Sequence, residues 1–201
     1  LYHKFGIDAE ILIDHAWGRE SVTMRDIQAY KPKNNSICSG QVLFKDYPFD
    51  EALVVVKEMG DDIALQLSRK KKKAAGITLG VGMAGRSGGG GRHMSYSFPS
   101  PTQNDLAFRD IAARLFVSMV GKDEYVRRFM ISLSGIVDDN DPVQLDLFQD
   151  NEESKKRESI QKAILSIKDT YGKNAILKGM DYEEGATQRE RNVQIGGHKS
   201  G

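Results

Sequence analysis

The chain has 201 residues, a net charge of +1 and a single cysteine, Cys38. This length allows one or two domains, and one cysteine excludes a disulfide framework and fits a reducing cytosol. No apolar run approaches the length of a membrane span and the start shows no signal peptide, so we expect no membrane partner. The chain opens with Leu1 in what the pattern predicts to be mid-helix, and we therefore expect a fragment of a longer protein.

Charge is unevenly distributed along the chain. From Ile63 to Asn104 there is no acidic residue, whereas Arg69 to Lys73 is an unbroken basic run. From Asp138 to Glu153 the chain carries seven acidic residues and no basic one. A basic middle followed by an acidic connector indicates a polyanion site beside a segment that docks on a protein.

The first 35 residues are predicted to be helical and then irregular. Residues 1–20 have the pattern of the end of a helical module, in which Gly6 and Gly18 end helices. Residues 21–35 form a polar, basic connector. The second helix is expected to direct three apolar side chains toward a core: Ile11, Leu12 and Ala16.

Residues 36–139 are predicted to form a compact domain. Alternating patterns and helical stripes occur in the order β-α-β-β-α-β, which predicts an α+β fold, a four-stranded antiparallel sheet with two helices on one face. The first helix opens at Pro48 with the apolar stripe Ala52, Val56, Met59, Ile63 and Leu67, and the second is capped by Thr102 or Asn104 and ends at Gly121. The predicted strands are Ser36–Phe44, Gly76–Met83, His93–Phe98 and Val126–Val137, with a glycine-rich turn at Gly85–Gly91.

Two helices on one face leave the other face of the sheet open. The alternation predicts that small and hydroxyl-bearing residues lie there: Thr78, Gly80, Gly82, Ser95, Ser97, Ser132 and Ser134. The pattern does not decide which side chains of the first strand share that face. Hydroxyls bordered by cations suit a phosphate backbone and offer little that reads base edges, so we expect nearly sequence-independent nucleic-acid binding.

Two features near this face each admit two interpretations. The basic run at Arg69–Lys73, which we place at the end of the first helix, would also complement the negative end of the helix dipole as a solvated helix end. The glycines from Gly85 to Gly91 either admit a phosphate backbone closely or form only a flexible hairpin loop.

Beyond the domain, residues 140–153 form an acidic segment too charged to fold alone. Within it, Gln144-Leu145-Asp146-Leu147-Phe148 offers three apolar anchors for a partner's pocket; alternatively the peptide packs back on its own domain as an edge strand. Residues 154–180 contain an amphipathic helix, and residues 181–201 form a polar tail that we expect to be disordered. The expected buried stripe of that helix is Ile160, Ala163, Ile164, Ile167 and Tyr171.

Several catalytic and cofactor motifs are excluded. Gly80 to Gly85 matches the dinucleotide fingerprint, but Gly88 to Gly91 forbid the helix that must follow it. The four histidines and one cysteine show no metal-ligand spacing. Asp138, Asp139 and Asp141 lie in a segment predicted to be mobile, where solubility explains them. We therefore expect no catalytic residue, no metal and no cofactor in this segment.

Taken together, these residues resemble the C-terminal part of a Y-family translesion DNA polymerase of the UmuC-like (ImpB/MucB/SamB) branch. Phe5-Gly6 through Ala16-Trp17-Gly18 is similar to the end of the thumb, and residues 36–139 are similar to the little finger domain. Gln144 to Phe148 resembles the peptide that binds the bacterial sliding clamp. Thr187 to Asn192, with Gly196-Gly197-His198, resembles the ending of the branch.

The resemblance implies a bacterial cytoplasmic protein of DNA repair and the SOS response. Its parent would copy damaged DNA with Mg²⁺ held by palm carboxylates that lie upstream of this chain. The implied partners are primer–template duplex, the sliding clamp and an accessory polymerase subunit, and the implied clamp-binding residues are Gln144, Leu145, Asp146, Leu147 and Phe148. The predicted DNA-binding residues are Lys31, Lys33, Ser36, Arg69, Lys70, Lys71, Lys72, Lys73, Thr78, Arg86, Gly88, Gly89, Arg92, His93, Ser95, Ser97, Arg127, Arg128, Ser132 and Ser134.

A second hypothesis is an RNA-binding module, because β-α-β-β-α-β is also the order of the common RNA-recognition domain. That fold needs exposed aromatic side chains on a central strand, and Tyr96 and Phe98 are the only paired candidates. A third hypothesis, a small enzyme, is disfavoured because no acid–base or nucleophile constellation occurs.

Overall fold

The computed structural model describes residues 1–6, 8–20, 22–30, 36–85, 90–139, 151–195 and 198–199. The chain divides into two compact units, Leu1–Asn34 and Asn35–Gly201. None of the helices in the described ranges is long and apolar enough to cross a membrane.

The first unit contains three short helices, α1 (Tyr2–Phe5), α2 (Asp8–Ala16) and α3 (Met24–Ala29). Gly6 and Gly18 adopt positive φ after α1 and α2, as expected of residues that end helices. Helix α3 lies where we predicted only a connector. It begins at a capping box, in which the Thr23 hydroxyl accepts from Asp26 N at 3.2 Å and the Thr23 N–H donates to Asp26 Oδ2 at 2.9 Å.

The prediction that α2 turns its apolar side chains toward a core is wrong. Ile11 and Leu12 are 56% and 46% exposed, and Ala9 is the buried residue of this helix. Three short helices supply too little apolar surface to build a core of their own.

The second unit is built on a four-stranded antiparallel sheet. Its central elements follow the predicted β-α-β-β-α-β order, so the predicted α+β fold is confirmed. Their bounds are β1 (Ile37–Tyr47), α4 (Phe49–Arg69), β2 (Lys72–Met83), β3 (Gly91–Thr102), α5 (Asp105–Met119) and β4 (Val126–Asp138). The strand order in the sheet is β1-β4-β2-β3.

One hydrophobic core joins α4 and α5 to one face of this sheet. The predicted stripe of α4, from Ala52 to Leu67, is fully buried, and so are the inward residues of the central strands. Helix α4 starts after Pro48, which occupies the N-cap, and α5 starts after Asn104, whose Oδ1 accepts from Leu106 N at 3.0 Å. Gly60 lets the two helices approach closely, because a Cβ there would lie 2.8 Å from the Cα of Arg109.

The prediction that the whole basic run Arg69–Lys73 lies at the end of α4 is wrong. Arg69 is the last helical residue, and Lys71 adopts a φ of 53°, in the left-handed region. This turn reverses the chain, so Lys72 and Lys73 are the first residues of β2. Asp138 and Asp139, which we expected in a mobile segment, form ion pairs with Lys72 and Lys73 at 2.6 and 2.9 Å.

Helix α6 (Asn151–Tyr171) packs on α4, away from the sheet. From Lys156 onward, its buried residues are Gln161 and Leu165 rather than the predicted stripe, of which Ile160 and Tyr171 are exposed. The buried face of α6 differs from the predicted one because Gln161 Nε2 donates to the backbone oxygen of Gln103 at 3.1 Å. Hydrophobic periodicity does not indicate this polar contact.

The C-terminal segment 176–195 is folded, which corrects the prediction of a disordered tail from residue 181. It contains a 3₁₀ turn (Gly179–Tyr182), α7 (Gln188–Arg191) and β5 (Gln194–Ile195), which pairs with β6 (His198–Lys199). Lys178 Nζ lies 2.8 Å from both Asp61 and Asp105. These ionic contacts hold the segment to α4 and α5.

The buried carboxylate of Glu58 holds the start of α7. It accepts hydrogen bonds from Thr187 N at 2.8 Å, from the Thr187 hydroxyl at 3.1 Å and from Gln188 N at 3.2 Å. A helix N-terminus presents unpaired N–H groups and the positive end of the helix dipole, so a carboxylate is favourable there. Burial nevertheless raises the pKa of Glu58 above its usual value.

Candidate nucleic-acid interface

Register across the sheet aligns the outward residues into rows, and no described residue of the helices or C-terminal segment pairs with them. One row runs through Cys38, Ser132, Thr78 and Ser95, and we call it the hydroxyl row. The neighbouring rows contain Ser134, Gly76 and Ser97 on one side, and Gly40, Met130, Gly80 and His93 on the other. The serines predicted to share the open face do share it.

Hydrogen bonds within the hydroxyl row leave donors for a ligand. The Cys38 thiol donates to Ser132 Oγ at 3.2 Å, so the Ser132 O–H remains available to point outward. Thr78 Oγ1 and Ser95 Oγ lie 2.8 Å apart, and either hydroxyl can donate to the other. Each pair thus retains one O–H for an acceptor such as a phosphate oxygen.

Glycines beside the hydroxyl row keep the face low. A Cβ at Gly76 would lie 2.7 Å from Ser134 Oγ, and a Cβ at Gly82 would lie 2.8 Å from Arg128 Cδ. At Gly82 the glycine therefore makes room for the Arg128 side chain to lie across β2.

The two aromatic residues that the RNA hypothesis requires lie on the opposite face. Tyr96 and Phe98 pack against the hydrophobic core, and the Phe98 ring contacts Phe108 of α5 with centroids 5.0 Å apart. They are unable to stack on bases at the open face. The RNA-recognition hypothesis is therefore not supported.

The first strand adds residues to the open face that the sequence left undecided. Leu43 is buried toward the helices, so its alternate neighbours Cys38, Gly40 and Val42 face outward. Val42 is 74% exposed, and Met130, diagonal to it on β4, is 54% exposed. The open face is consequently less polar at its β1 edge than the serine rows predicted.

Two adjacent arginines on β4 point to different surroundings. Arg128 pairs with Val42 and Gly82 in register and lies on the open face. A bulge between Gly82 and Met83 leaves Arg127 out of register, and its Nη1 lies 3.4 Å from Asp46 Oδ1. Among described residues no ion pair holds Arg128.

Arg92 does not lie on the open face, and its assignment as a DNA contact stays a prediction. Its guanidinium donates to both carboxylate oxygens of Glu124, at 2.6 and 2.7 Å, and to the Met119 backbone oxygen at the end of α5. This pairing holds the pKa of Glu124 at about 2. Sequence alone missed it because Glu124 lies 32 residues away.

Most of the basic run is neutralised within the chain. Arg69 pairs with Asp169 of α6 at 2.5 Å. Lys72 pairs with Asp138, the last residue of β4, and Lys73 pairs with Asp139, which follows it. Lys70 and Lys71 have no ion pair within the described ranges. Ser36 is exposed just before β1, next to the open face.

The remaining predicted residues lie outside the described residues: Lys31, Lys33, Arg86, Gly88, Gly89 and the clamp peptide Gln144 to Phe148. Within the described ranges, no three His, Cys, Asp or Glu side chains cluster so as to hold a metal ion.

Comparison with solved structures gives distant similarities. The little finger domain of PolIV, from its complex with the beta-clamp processivity factor, is 12% identical with a TM-score of 0.40, over 57% of this chain and 100% of that chain. A post-insertion binary complex of Dbh DNA polymerase is 16% identical with a TM-score of 0.40, over 68% of this chain and 39% of that chain. Similarity at this level carries no argument about the site.

Sequence comparison is more informative. UvrX, a candidate UV-damage repair protein of Bacillus subtilis (strain 168), is 32% identical over 203 residues, which span 100% of this chain and 47% of that protein. The chain thus spans about half the length of this curated relative. The family model described as the impB/mucB/samB family C-terminal domain matches residues 34–147, more than half of the chain. The predicted resemblance is therefore confirmed, and the chain belongs to the impB/mucB/samB family, the UmuC-like branch of the Y-family DNA polymerases.

Proposed function

We propose that residues 36–139 hold primer–template duplex through backbone contacts on the open sheet face, as the non-catalytic C-terminal region of a translesion DNA polymerase. The observation that carries this proposal is the hydroxyl row, which crosses all four strands without a partner from the described helices. Family membership supports it, because the matched domain belongs to polymerases that act on DNA.

The chemistry of the face favours phosphate over bases. Ser132 and the Thr78–Ser95 pair present short donors that reach a backbone oxygen, while the glycines of the neighbouring rows admit a close approach. Arg128 supplies a cation without a competing carboxylate among described residues. Few long polar side chains extend outward, so binding should not discriminate between sequences.

Ion pairs formed by several predicted DNA-binding cations limit the expected salt dependence. Each phosphate neutralised by a free cation makes the slope of log K against log salt more negative by about 0.9. Arg69, Arg92 and Lys73 are already paired, so they release few counterions from DNA. The basic connector at Lys31 and Lys33 would contribute the remainder.

Fluorescence anisotropy with labelled duplexes of unrelated sequence tests this proposal. We expect equal affinities for the duplexes and a steady loss of affinity with salt. Strong preference for one sequence, or affinity that is unchanged by salt, would contradict it.

We further propose that Gln144 to Phe148 docks on the bacterial sliding clamp. Leu145, Leu147 and Phe148 would fill an apolar pocket, with Gln144 hydrogen-bonded at its rim and Asp146 facing solvent. Burying three such side chains stabilises a complex by roughly 5–8 kcal/mol before the cost of ordering the peptide, which leaves a weak, exchangeable contact.

Damage tolerance within the SOS response, in the bacterial cytoplasm and with an accessory polymerase subunit, is the setting that we propose for the whole protein. Its nucleotide transfer, and the Mg²⁺ that this chemistry uses, would belong to the palm.

A further inference from the structure

A second cation-rich site lies on the helical side of the second unit. A cavity of about 520 Å³ opens between the C-terminal end of α4, the second half of α6 and the segment that carries α7. We call it the basic cavity. Among the described residues, its charged lining comprises one carboxylate and five cations, of which Arg69 is paired with Asp169 of α6: Asp62, Arg69, Lys70, Lys168, Lys173 and Arg191.

Arg191 lines the basic cavity and carries a buried, unpaired donor. Its Nη2 lies 3.5 Å from Ser39 Oγ and 3.9 Å from Asp62 Oδ2, while its buried Nη1 has no hydrogen-bond partner among the described residues. A buried donor without an acceptor is unfavourable, so an acceptor is expected there. Asp62 is shared, because its Oδ2 also accepts from Gln66 at 3.0 Å.

The lysines of the basic cavity are not neutralised by its single carboxylate. Lys168 is half-buried, and its Nζ donates to the backbone oxygen of Lys173 at 2.7 Å. Burial lowers the pKa of Lys168. The carboxylates of Asp181 and Asp62 oppose this shift, and the charges of Lys178 and Arg69 add to it. Lys70 and Lys173 are exposed at the rim, and neither has an ion pair within the described ranges.

We propose that the basic cavity binds a phosphate-bearing anion. A guanidinium donor and several ammonium groups around one space match the many acceptor oxygens of a phosphate. Among the described residues that line the cavity, Gly40 of the edge strand β1 alone belongs to the open face. The phosphate therefore belongs either to a nucleic-acid strand that passes around this edge or to a free phosphoanion, and the site stands whether or not the open face binds duplex.

Titration of the 201-residue chain with inorganic pyrophosphate, by calorimetry and by ¹H–¹⁵N NMR, tests the proposal. We expect saturable binding that shifts the amide signals around Lys168 and Arg191. Lys173→Gln should weaken binding about threefold, and the double variant with Lys70→Gln should weaken it about tenfold. Lys162→Gln, an exposed lysine of α6 outside the cavity, is the matched control and should change affinity by less than about 1.5-fold.

Competition identifies the source of the phosphate. If single-stranded DNA displaces pyrophosphate from the wild type, the ligand is a phosphodiester strand; if pyrophosphate stays bound, it is a free phosphoanion. Absence of saturable binding up to about 10 mM pyrophosphate would overturn the proposal. Equal weakening by Lys162→Gln and Lys173→Gln would overturn it as well, because it would show only general surface charge.

Discussion

Adjacent arginines on β4 provide the sharpest test of how the open face binds DNA. Arg128 lies across Gly82 on that face, whereas Arg127 is diverted by a bulge to Asp46. Replacing Arg128 with Ala removes one charge-assisted phosphate contact, worth about 1 kcal/mol, which corresponds to about a fivefold loss of duplex affinity. The slope of log K against log salt should also become less negative by about 1. Arg127→Ala removes the same side chain from the same strand and should change affinity less than about twofold.

The measurement is anisotropy of a labelled 20-base-pair duplex at several salt concentrations, with thermal unfolding as the control for folding. Both variants remove one positive charge, so the overall field of the domain changes equally. Equal losses for the two variants, or a larger loss for Arg127→Ala, would refute the placement of the DNA on the open face.

Three further predictions concern docking, packing and pH. Leu147→Ala with Phe148→Ala should abolish binding to the sliding clamp in a pull-down assay and leave duplex affinity unchanged; retained clamp binding would contradict the docking proposal. Gly60→Ala should destabilise the fold by about 1–3 kcal/mol in urea unfolding, because its Cβ meets the backbone of α5. Gly40→Ala, which has room for a Cβ, serves as its control. Burial raises the pKa of Asp61 to about 6, so as pH rises the unfolded chain loses this proton before the folded chain does. The free energy of unfolding should therefore fall by about 3 kcal/mol as pH rises from about 4 to about 6. Asp61→Asn should flatten that decline, and a decline of unchanged size in the variant would assign it to other groups.

Much of the domain was predictable because its signals are local. Stripes such as Ala52 to Leu67 in α4, and the alternation of β2, β3 and β4, depend on neighbouring residues and the period of one element. The open face followed from the same alternation, which placed Ser95 and Ser132 correctly.

Other features depend on contacts between residues that are distant in sequence. The C-terminal segment is polar and was predicted to be disordered, yet Thr187 and Gln188 are buried because their N–H groups meet the carboxylate of Glu58, about 130 residues earlier. Likewise, Arg92 was predicted to contact DNA because it lies in a stretch without acidic residues. Its partner Glu124 is 32 residues later in the sequence. Counting cations overestimates a binding surface when tertiary ion pairs neutralise them.

The first strand shows a different limit. Both alternation sets of β1 mix polar and apolar residues, so periodicity does not choose a face. Only the antiparallel register, which places Cys38 opposite Ser132, resolves it. That register also gives the open face a native chemical probe.

Alkylation of Cys38 measures directly whether duplex DNA lies on the open face. Cys38 is the single cysteine of the chain and is exposed within the hydroxyl row. A saturating duplex should slow its reaction with N-ethylmaleimide, and high salt should restore the rate. A thiol moved to the exposed helical position Ser118, in a Cys38→Ser background, should react at the same rate with and without DNA. An unchanged rate at Cys38 under conditions of proven duplex binding would contradict the account.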